Sequence, residues 1–324
     1  MITKSLLRIG ACALAFCTVG PAFQISADSS VNIVPRARPS ADVHPATLRV
    51  DASLVLIPAR VTNPLGGPVI GLTRDAFHVF ENGVEQTITD FAQDDAPISI
   101  GILFDKSGSM KNKAQKAAQS LSSFFYTANA EDEFFLVEFN ERARVTVPFT
   151  RDPGVITDQI LRTRPAGMTC LLDAMKLALA QIRKGHHQRK AIVIISDGGE
   201  NWSRHNFVEI RNGLQEAGVQ VYAMGIFDTN VTTKHPAEER NGPDLLDRLA
   251  AETGGRQFPV HNLDELPAIS ARISRELRSQ YVLGYSPSDP TRDGKYRRVK
   301  LTLALPDAGQ LHVDYRQGYF APPE

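Results

Sequence analysis

Between residues 98 and 278, five short apolar runs alternate with five amphipathic stretches, and few folds accommodate that alternation. The runs, at 98–104, 134–139, 145–149, 191–195 and 219–226, have the length and apolar character of strands buried in a sheet. The stretches between and after them, at 113–126, 171–182, 207–217, 245–252 and 263–277, are long enough for helices with one apolar face. Strand–helix alternation predicts a doubly wound, mainly parallel sheet with helices on both faces. Asn140-Glu141, between the second and third runs, predicts an antiparallel hairpin at one edge.

The flanking segments follow a period of two. Before the α/β region, Leu48, Val50, Leu54 and Leu56 alternate with other residues, Gly66-Gly67-Pro68 signals a turn, and Asn82-Gly83 separates Phe77-His78-Val79-Phe80 from a strand containing Ile88. These read as hairpins of a small sheet. After Arg278, Val299, Leu301, Leu303 and Leu305 alternate with Arg298, Lys300, Thr302 and Ala304, and Leu311, Val313 and Tyr315 do the same. Each block alone is marginal for independent stability. The expectation is that 47–97 and 279–321 pair into one β-sandwich, with the α/β domain of 98–278 inserted between its halves.

The first residues have the layout of a secretory signal. Lys4 and Arg8 precede an apolar core from Ile9 to Val19, and the small residues Ser26 and Ala27 suggest cleavage at 27. The core is too short to span a bilayer, and no later segment reaches the ~20 apolar residues of a membrane helix. Residues 28–46, with Pro35, Pro39 and Pro45, read as a flexible leader. The expected location is the periplasm or the outside of the cell. Removal of 1–27 would leave Cys170 as the one cysteine, so no intrachain disulfide is available and packing must supply stability. Lysine plus arginine, 36, balance aspartate plus glutamate, 36, so neither nucleic acid nor a polyanion is an expected partner.

The chemistry concentrates where the first apolar run ends. Asp105 stops the run, and Lys106-Ser107-Gly108-Ser109 turns the chain toward a helix. In an open parallel sheet ligands bind beyond the carboxyl ends of strands, which is where Asp105 belongs. A carboxylate and two hydroxyls are hard oxygen ligands suited to Mg²⁺. Ser107 and Ser109 have a plainer reading as helix caps, and the string alone is short enough to arise by chance. Two further segments change its weight: Gly167-Met168-Thr169-Cys170-Leu171 places a threonine at a helix start, and Ile194-Ile195-Ser196-Asp197-Gly198-Gly199 ends a second buried strand in an aspartate.

Together, in this order and context, the three segments resemble the metal-ion-dependent adhesion site of von Willebrand factor A domains, whose sheet is Rossmann-like. The resemblance implies a divalent cation, Mg²⁺ or Mn²⁺, ligated directly by Ser107, Ser109 and Thr169, with Asp105 and Asp197 acting mainly through bound waters. It also implies a protein partner that offers an acidic side chain to complete the shell. The segments 276–287, 316–322 and 71–77 are similar to the von Willebrand factor A-related proteins of Acidobacteria, which extends the likeness over nearly the whole chain after 27. Lys106 departs from the family, where a neutral residue is more usual; its ammonium would weaken cation binding or pair with an anionic partner if it faced the site, and the plainer expectation is that it points into solvent.

Other residues carry less. Cys170 reads as a small buried residue at a helix start, with a reactive thiol as the alternative. His186-His187 lies in the basic connection 183–190, which a solvated loop explains as well as an anion or metal site does. Trp202 follows Asp197 closely and belongs either on the rim of the site, as a partner contact, or in the core. Three functions compete: a cation-dependent binding module, an assembly scaffold with an incidental metal, and a Mg²⁺-dependent hydrolase. No second acid stands two residues after Asp105, no Gly-rich phosphate loop follows a strand, and no nucleophile and base pair is evident, so the expectation is a binding module and not an enzyme.

Overall fold

The computed structural model describes residues 54–93, 96–227, 237–305 and 308–323, with side chains from 241 onward in the third of these. The expected signal segment, the leader, and Leu48 and Val50 lie outside the described residues. Four strands come first: β1 (Val55–Thr62), β2 (Phe77–Glu81), β3 (Val84–Gln86) and β4 (Ile88–Ala92). The α/β part runs through β5 (Ile98–Asp105), α1 (Ala114–Phe125), β6 (Glu133–Phe139), β7 (Ala143–Thr150), α2 (Pro153–Leu161), α3 (Leu171–Ile182), β8 (Arg189–Ser196), α4 (Phe207–Ala217), β9 (Gln220–Ile226), α5 (Ala237–Ala251), β10 (Arg256–Val260) and α6 (Leu266–Arg278). The strands β11 (Tyr281–Tyr285), β12 (Tyr296–Leu303), β13 (His312–Tyr315) and β14 (Gly318–Phe320) follow.

The central sheet has the order β10-β9-β8-β5-β6-β7. All neighbours are parallel except β6 and β7, which form the antiparallel edge hairpin that Asn140-Glu141 predicts. Every residue of β5, β6 and β9 is buried, as helices on both faces require. Side chains alternate between two cores. Ile98, Ile100, Ile102 and Phe104 of β5 meet Ala117, Leu121 and Phe124 of α1 and Ile273 and Leu277 of α6 on one face. Leu103, Phe135, Ile192 and Ile194 meet Leu171, Met175 and Leu179 of α3 on the other. Gly101 is required by this packing: a Cβ there would lie 2.4 Å from Cζ of Phe135, whose ring covers the strand.

Two elements are absent from the expectation. Helix α2 begins at an Asp-Pro pair: Asp152 accepts a hydrogen bond from Gly154 N at 2.8 Å, and Pro153 sits in the first turn, where its missing N–H costs nothing. Strand β10 contains Pro259, which masks it as a strand, yet an edge position tolerates a proline. Helix α5 also starts at Ala237, well before the expected 245, and carries Pro243 inside it.

The flanks form two four-stranded antiparallel sheets, β13-β1-β11-β4 and β14-β12-β2-β3. Each draws strands from both sides of the α/β part, as the sandwich reading requires. The expectation of one small sheet of local hairpins from the N-terminal flank needs correction: β2 and β3 form a hairpin, but β1 and β4 both pair with β11, about two hundred residues away in sequence. Between the sheets lie Ile57, Val79, Leu283, Val299 and Leu301, with the Phe77 and Tyr281 rings 5.0 Å apart. Buried Glu81 of β2 accepts hydrogen bonds from Tyr285 Oη of β11 at 2.8 Å and Tyr319 Oη of β14 at 2.7 Å. The sandwich is also tied to the α/β part, because the buried Arg60 of β1 pairs with Glu276 of α6 as well as with Asp314 of β13.

Candidate metal centre

The sheet order reverses direction around β5: β6 lies on one side and β8 on the other. Loops leaving β5 and β8 therefore diverge to opposite faces and open a crevice at the carboxyl ends of these two strands. Asp105 is the last residue of β5, and Ser196 is the last of β8, with Asp197 next.

Asp105 is fully buried and held from two sides. Its Oδ1 accepts the backbone N–H of Ser107 at 2.8 Å, and its Oδ2 accepts the Ser196 hydroxyl at 2.5 Å. Ser196 Oγ in turn accepts from Gly198 N at 2.9 Å, which binds the loop after β8 to the carboxylate. The Ser107 and Ser109 hydroxyls lie 3.0 Å apart. Gly108 N donates to Gly167 O at 3.0 Å and so draws the loop carrying Thr169 against the serine loop. Thr169 is fixed on its far side by Asn201, whose Oδ1 accepts Thr169 N at 2.9 Å. Thr169 Oγ1 and Asp197 Oδ1 both lie 3.6 Å from the point where a Cβ on Gly199 would stand, so the two oxygens flank one spot. All five oxygen-bearing residues of the sequence reading thus gather at one end of the sheet. Asp105, Ser107, Thr169 and Asp197 are buried there, and Ser109 is exposed at the mouth.

Glycines permit the close approach. Gly198 has φ +78°, and a Cβ on it would lie 2.5 Å from the carbonyl oxygen of Gly242 in α5. The start of α3 is satisfied from the same region, since Glu200 Oε2 accepts Leu172 N at 2.8 Å and Ser203 Oγ accepts Asp173 N at 3.1 Å. Glu200 is thereby committed to a helix terminus.

Burial and the neighbouring Asp197 charge push the Asp105 carboxyl up to about 7, against hydrogen bonds from Ser107 and Ser196 that lower it. Two carboxylates in one buried crevice call for positive charge. Among the described residues no group of three or more His, Cys, Asp or Glu side chains is placed to hold a metal ion. The donor set here is two carboxylates and three hydroxyls, all hard oxygens, which fits a small divalent cation and suits softer metals poorly.

Lys106, the lysine nearest the site residues in sequence, does not bring its ammonium to them. Lys106 is half-buried, makes no ion pair among the described residues, and uses its backbone to join Phe139 and Ala166. The ammonium in the site is that of Lys113, one residue before α1: Nζ donates to Asp197 Oδ2 at 3.4 Å and to Ile226 O, at the end of β9, at 3.1 Å. Ser196 was likewise not singled out. The run Ile194-Ile195-Ser196-Asp197 does carry a signal for Ser196, because a hydroxyl at the end of a buried strand needs a partner. Cys170 is fully buried, and burial with the Asp173, Glu200 and Asp105 charges pushes its thiol up to about 12, which fits a packing role and not a reactive one. Trp202 is 55% exposed and its backbone N–H donates to Thr169 O at 3.1 Å, so it stands on the rim and not in the core. His186 pairs with Glu133 through Nδ1 at 2.8 Å, at the opposite end of β6 from the site.

The class of protein follows from the topology and the crevice. The central sheet with its helices has the von Willebrand factor type A fold, and residues 100–200 match the family model for the von Willebrand factor type A domain. Solved structures similar to this chain include an aerotolerance-related membrane protein from Bacteroides fragilis, at 20% identity and TM-score 0.46, covering 56% of this chain and 98% of that one. Proximal thread matrix protein 1 of the mussel byssus aligns at 18% identity and TM-score 0.49, covering 61% and 51%. A von Willebrand factor type A protein from Catenulispora acidiphila aligns at 12% identity and TM-score 0.47, covering 84% and 74%. The described residues contain no helix long and apolar enough to cross a membrane.

Proposed function

We propose that this chain is an exported binding protein, akin to the von Willebrand factor A-related proteins of Acidobacteria, that captures a partner protein through a divalent cation at the carboxyl ends of β5 and β8. The observation that carries the reading is the convergence of Asp105, Ser107, Ser109, Thr169 and Asp197 on one crevice with two buried carboxylates. Ser107, Ser109 and Thr169 would hold Mg²⁺ or Mn²⁺ directly, and Asp105 and Asp197 would do so mainly through waters. A small divalent cation takes six oxygens, and an acidic side chain of the partner completes the set.

The rim suits such a partner. Met168, 40% exposed, and Trp202, 55% exposed, flank Thr169 in space and offer apolar surface beside the cation. The site is read as binding its ligand without turning it over. Calorimetric titration with Mg²⁺ and Mn²⁺ tests the reading: wild type binds one ion and Asp105→Ala binds none. A wild type that takes up neither ion would overturn it.

A further inference from the structure

Resting on this reading of a cation site, we propose that the partner presents its metal-binding carboxylate from an acid-rich protein segment, whose flanking aspartates and glutamates are held by a collar of lysines and arginines around the crevice.

Four loops surround the crevice: 106–112 after β5, 140–142 between β6 and β7, 162–170 between α2 and α3, and 198–206 after β8. Their backbones are joined to one another. Lys106 O accepts Ala166 N at 2.8 Å, Gly108 N donates to Gly167 O at 3.0 Å, and Asn140 O accepts Cys170 N at 2.8 Å. Thr169 O accepts the backbone N–H groups of Asn201 and Trp202, each at 3.1 Å. The four loops therefore form one surface centred on Thr169. They carry Lys106, Lys111, Arg142, Arg162, Arg164 and Arg204 but only two acids, Glu141 and Glu200. The balance of 36 bases and 36 acids over the whole chain hides this local excess.

The positive charge of these loops is not taken up locally. Glu200 is bonded to the start of α3 and to its own loop, accepting Leu172 N at 2.8 Å and Ser203 N at 2.9 Å. None of the six basic side chains forms an ion pair among the described residues, and Lys111, Arg142, Arg162, Arg164 and Arg204 are exposed. A site required only to retain a cation gains nothing from such a ring, because like charges nearby oppose its entry. An anionic ligand does gain: the ring steers it inward and pairs with its charges at contact range, where screening by salt is weakest. Arg142 stands in the loop beyond β6 and Arg204 in the loop beyond β8, on opposite sides of β5 in the sheet order. Acids on both sides of the metal-binding carboxylate therefore find a basic partner. Exposed Met168 and Trp202 lie in the same loops and add apolar contact, which a polypeptide with mixed side chains can use.

The probes are two fluorescent peptides of equal length, one with a single central glutamate among serines and glycines, the other with that glutamate inside a run of aspartates and glutamates. Binding is followed by anisotropy in Mn²⁺ and in chelator, at low and high salt, and Mn²⁺ uptake by calorimetry. The triple variant Arg142→Gln, Arg164→Gln, Arg204→Gln removes exposed collar charge and leaves the five oxygen-bearing residues intact. Arg292→Gln, Arg298→Gln, Lys300→Gln removes as much exposed charge around β12 and serves as the control. In Mn²⁺ the acid-rich peptide should bind wild type about tenfold tighter than the single-glutamate peptide, an advantage that shrinks in high salt and in the collar variant and persists in the control. Equal affinity of wild type for the two peptides, or an equal loss in the control, overturns the collar. An oligonucleotide of the same charge that competes as well as the acid-rich peptide overturns the assignment to a protein segment. Mn²⁺ uptake separates this proposal from the reading it rests on. If wild type takes up no Mn²⁺, the cation site fails, and a preference lost only in the collar variant still supports the collar as an acid-binding surface. If wild type takes up Mn²⁺ and shows no preference, the collar fails and the cation site stands.

Discussion

Asp105→Asn should stabilise the metal-free protein at pH 8, an unusual direction for a change at a buried functional residue. Asn keeps the acceptor for Ser107 N, and Ser196 Oγ, already an acceptor for Gly198 N, can turn to accept from the new amide. What disappears is a buried charge that faces Asp197. The carboxyl stands at about 7 in the folded protein against its ordinary value of 3.8, and each pH unit of that gap is worth about 1.4 kcal/mol. The folded state binds the proton more tightly than the unfolded one. Stability is therefore lost as pH rises from near 4 through 7, by about 4 kcal/mol in all, and about 3 kcal/mol of this falls between pH 5 and pH 8. Urea unfolding in chelator at both pH values should show Asp105→Asn ahead of wild type by up to about 4 kcal/mol at pH 8, and by less than half of that at pH 5. Mg²⁺ at a hundred times its dissociation constant then adds about 2.7 kcal/mol to wild type and little to the variant, which closes most of the gap. A gap of the same size at pH 5 and pH 8, or a variant no more stable than wild type in chelator, would refute the charge argument.

Two further substitutions test the framework that positions the site. Gly101→Ala drives a Cβ into the Phe135 ring, 2.4 Å from Cζ, in a face with no spare volume, and should cost about 1–3 kcal/mol by urea unfolding; adding Phe135→Leu should recover part of that, and strictly additive costs would count against the clash. Tyr285→Phe removes one of two hydroxyls from the buried Glu81 carboxylate and should cost about 1.5–3 kcal/mol, whereas a loss under about 0.5 kcal/mol would mean that the bond across the sandwich contributes little.

The elements legible in sequence were those whose cause is local. Helices α3 and α4 fall at the residues the apolar spacing indicated, because one face of each packs on the sheet along its whole length. β5 reads plainly because a strand covered on both faces has no polar interruption until Asp105. β10 does not, since an edge strand of five residues with a proline has no pattern of its own and is held by its register with β9. The true partners of β1 and β4 were equally hidden: alternation shows which face of a strand is buried but not which distant strand it meets.

The site divides the same way, and the division explains why Lys113 is not visible in the sequence. The oxygen-bearing residues announce themselves because each stands at the end of an apolar run or the start of a helix, so sequence alone gives both their chemistry and their place. Lys106 drew attention because it lies between two of them. Adjacent residues in an extended turn point to different sides, however, and its backbone is engaged with Phe139 and Ala166 on the flank of the site. Lys113 is eight residues from Asp105, and the turn at Gly108–Met110 folds the chain back so that its side chain crosses toward the ends of β8 and β9. Its partner Asp197 comes from another strand, so the pairing exists only once the sheet has assembled.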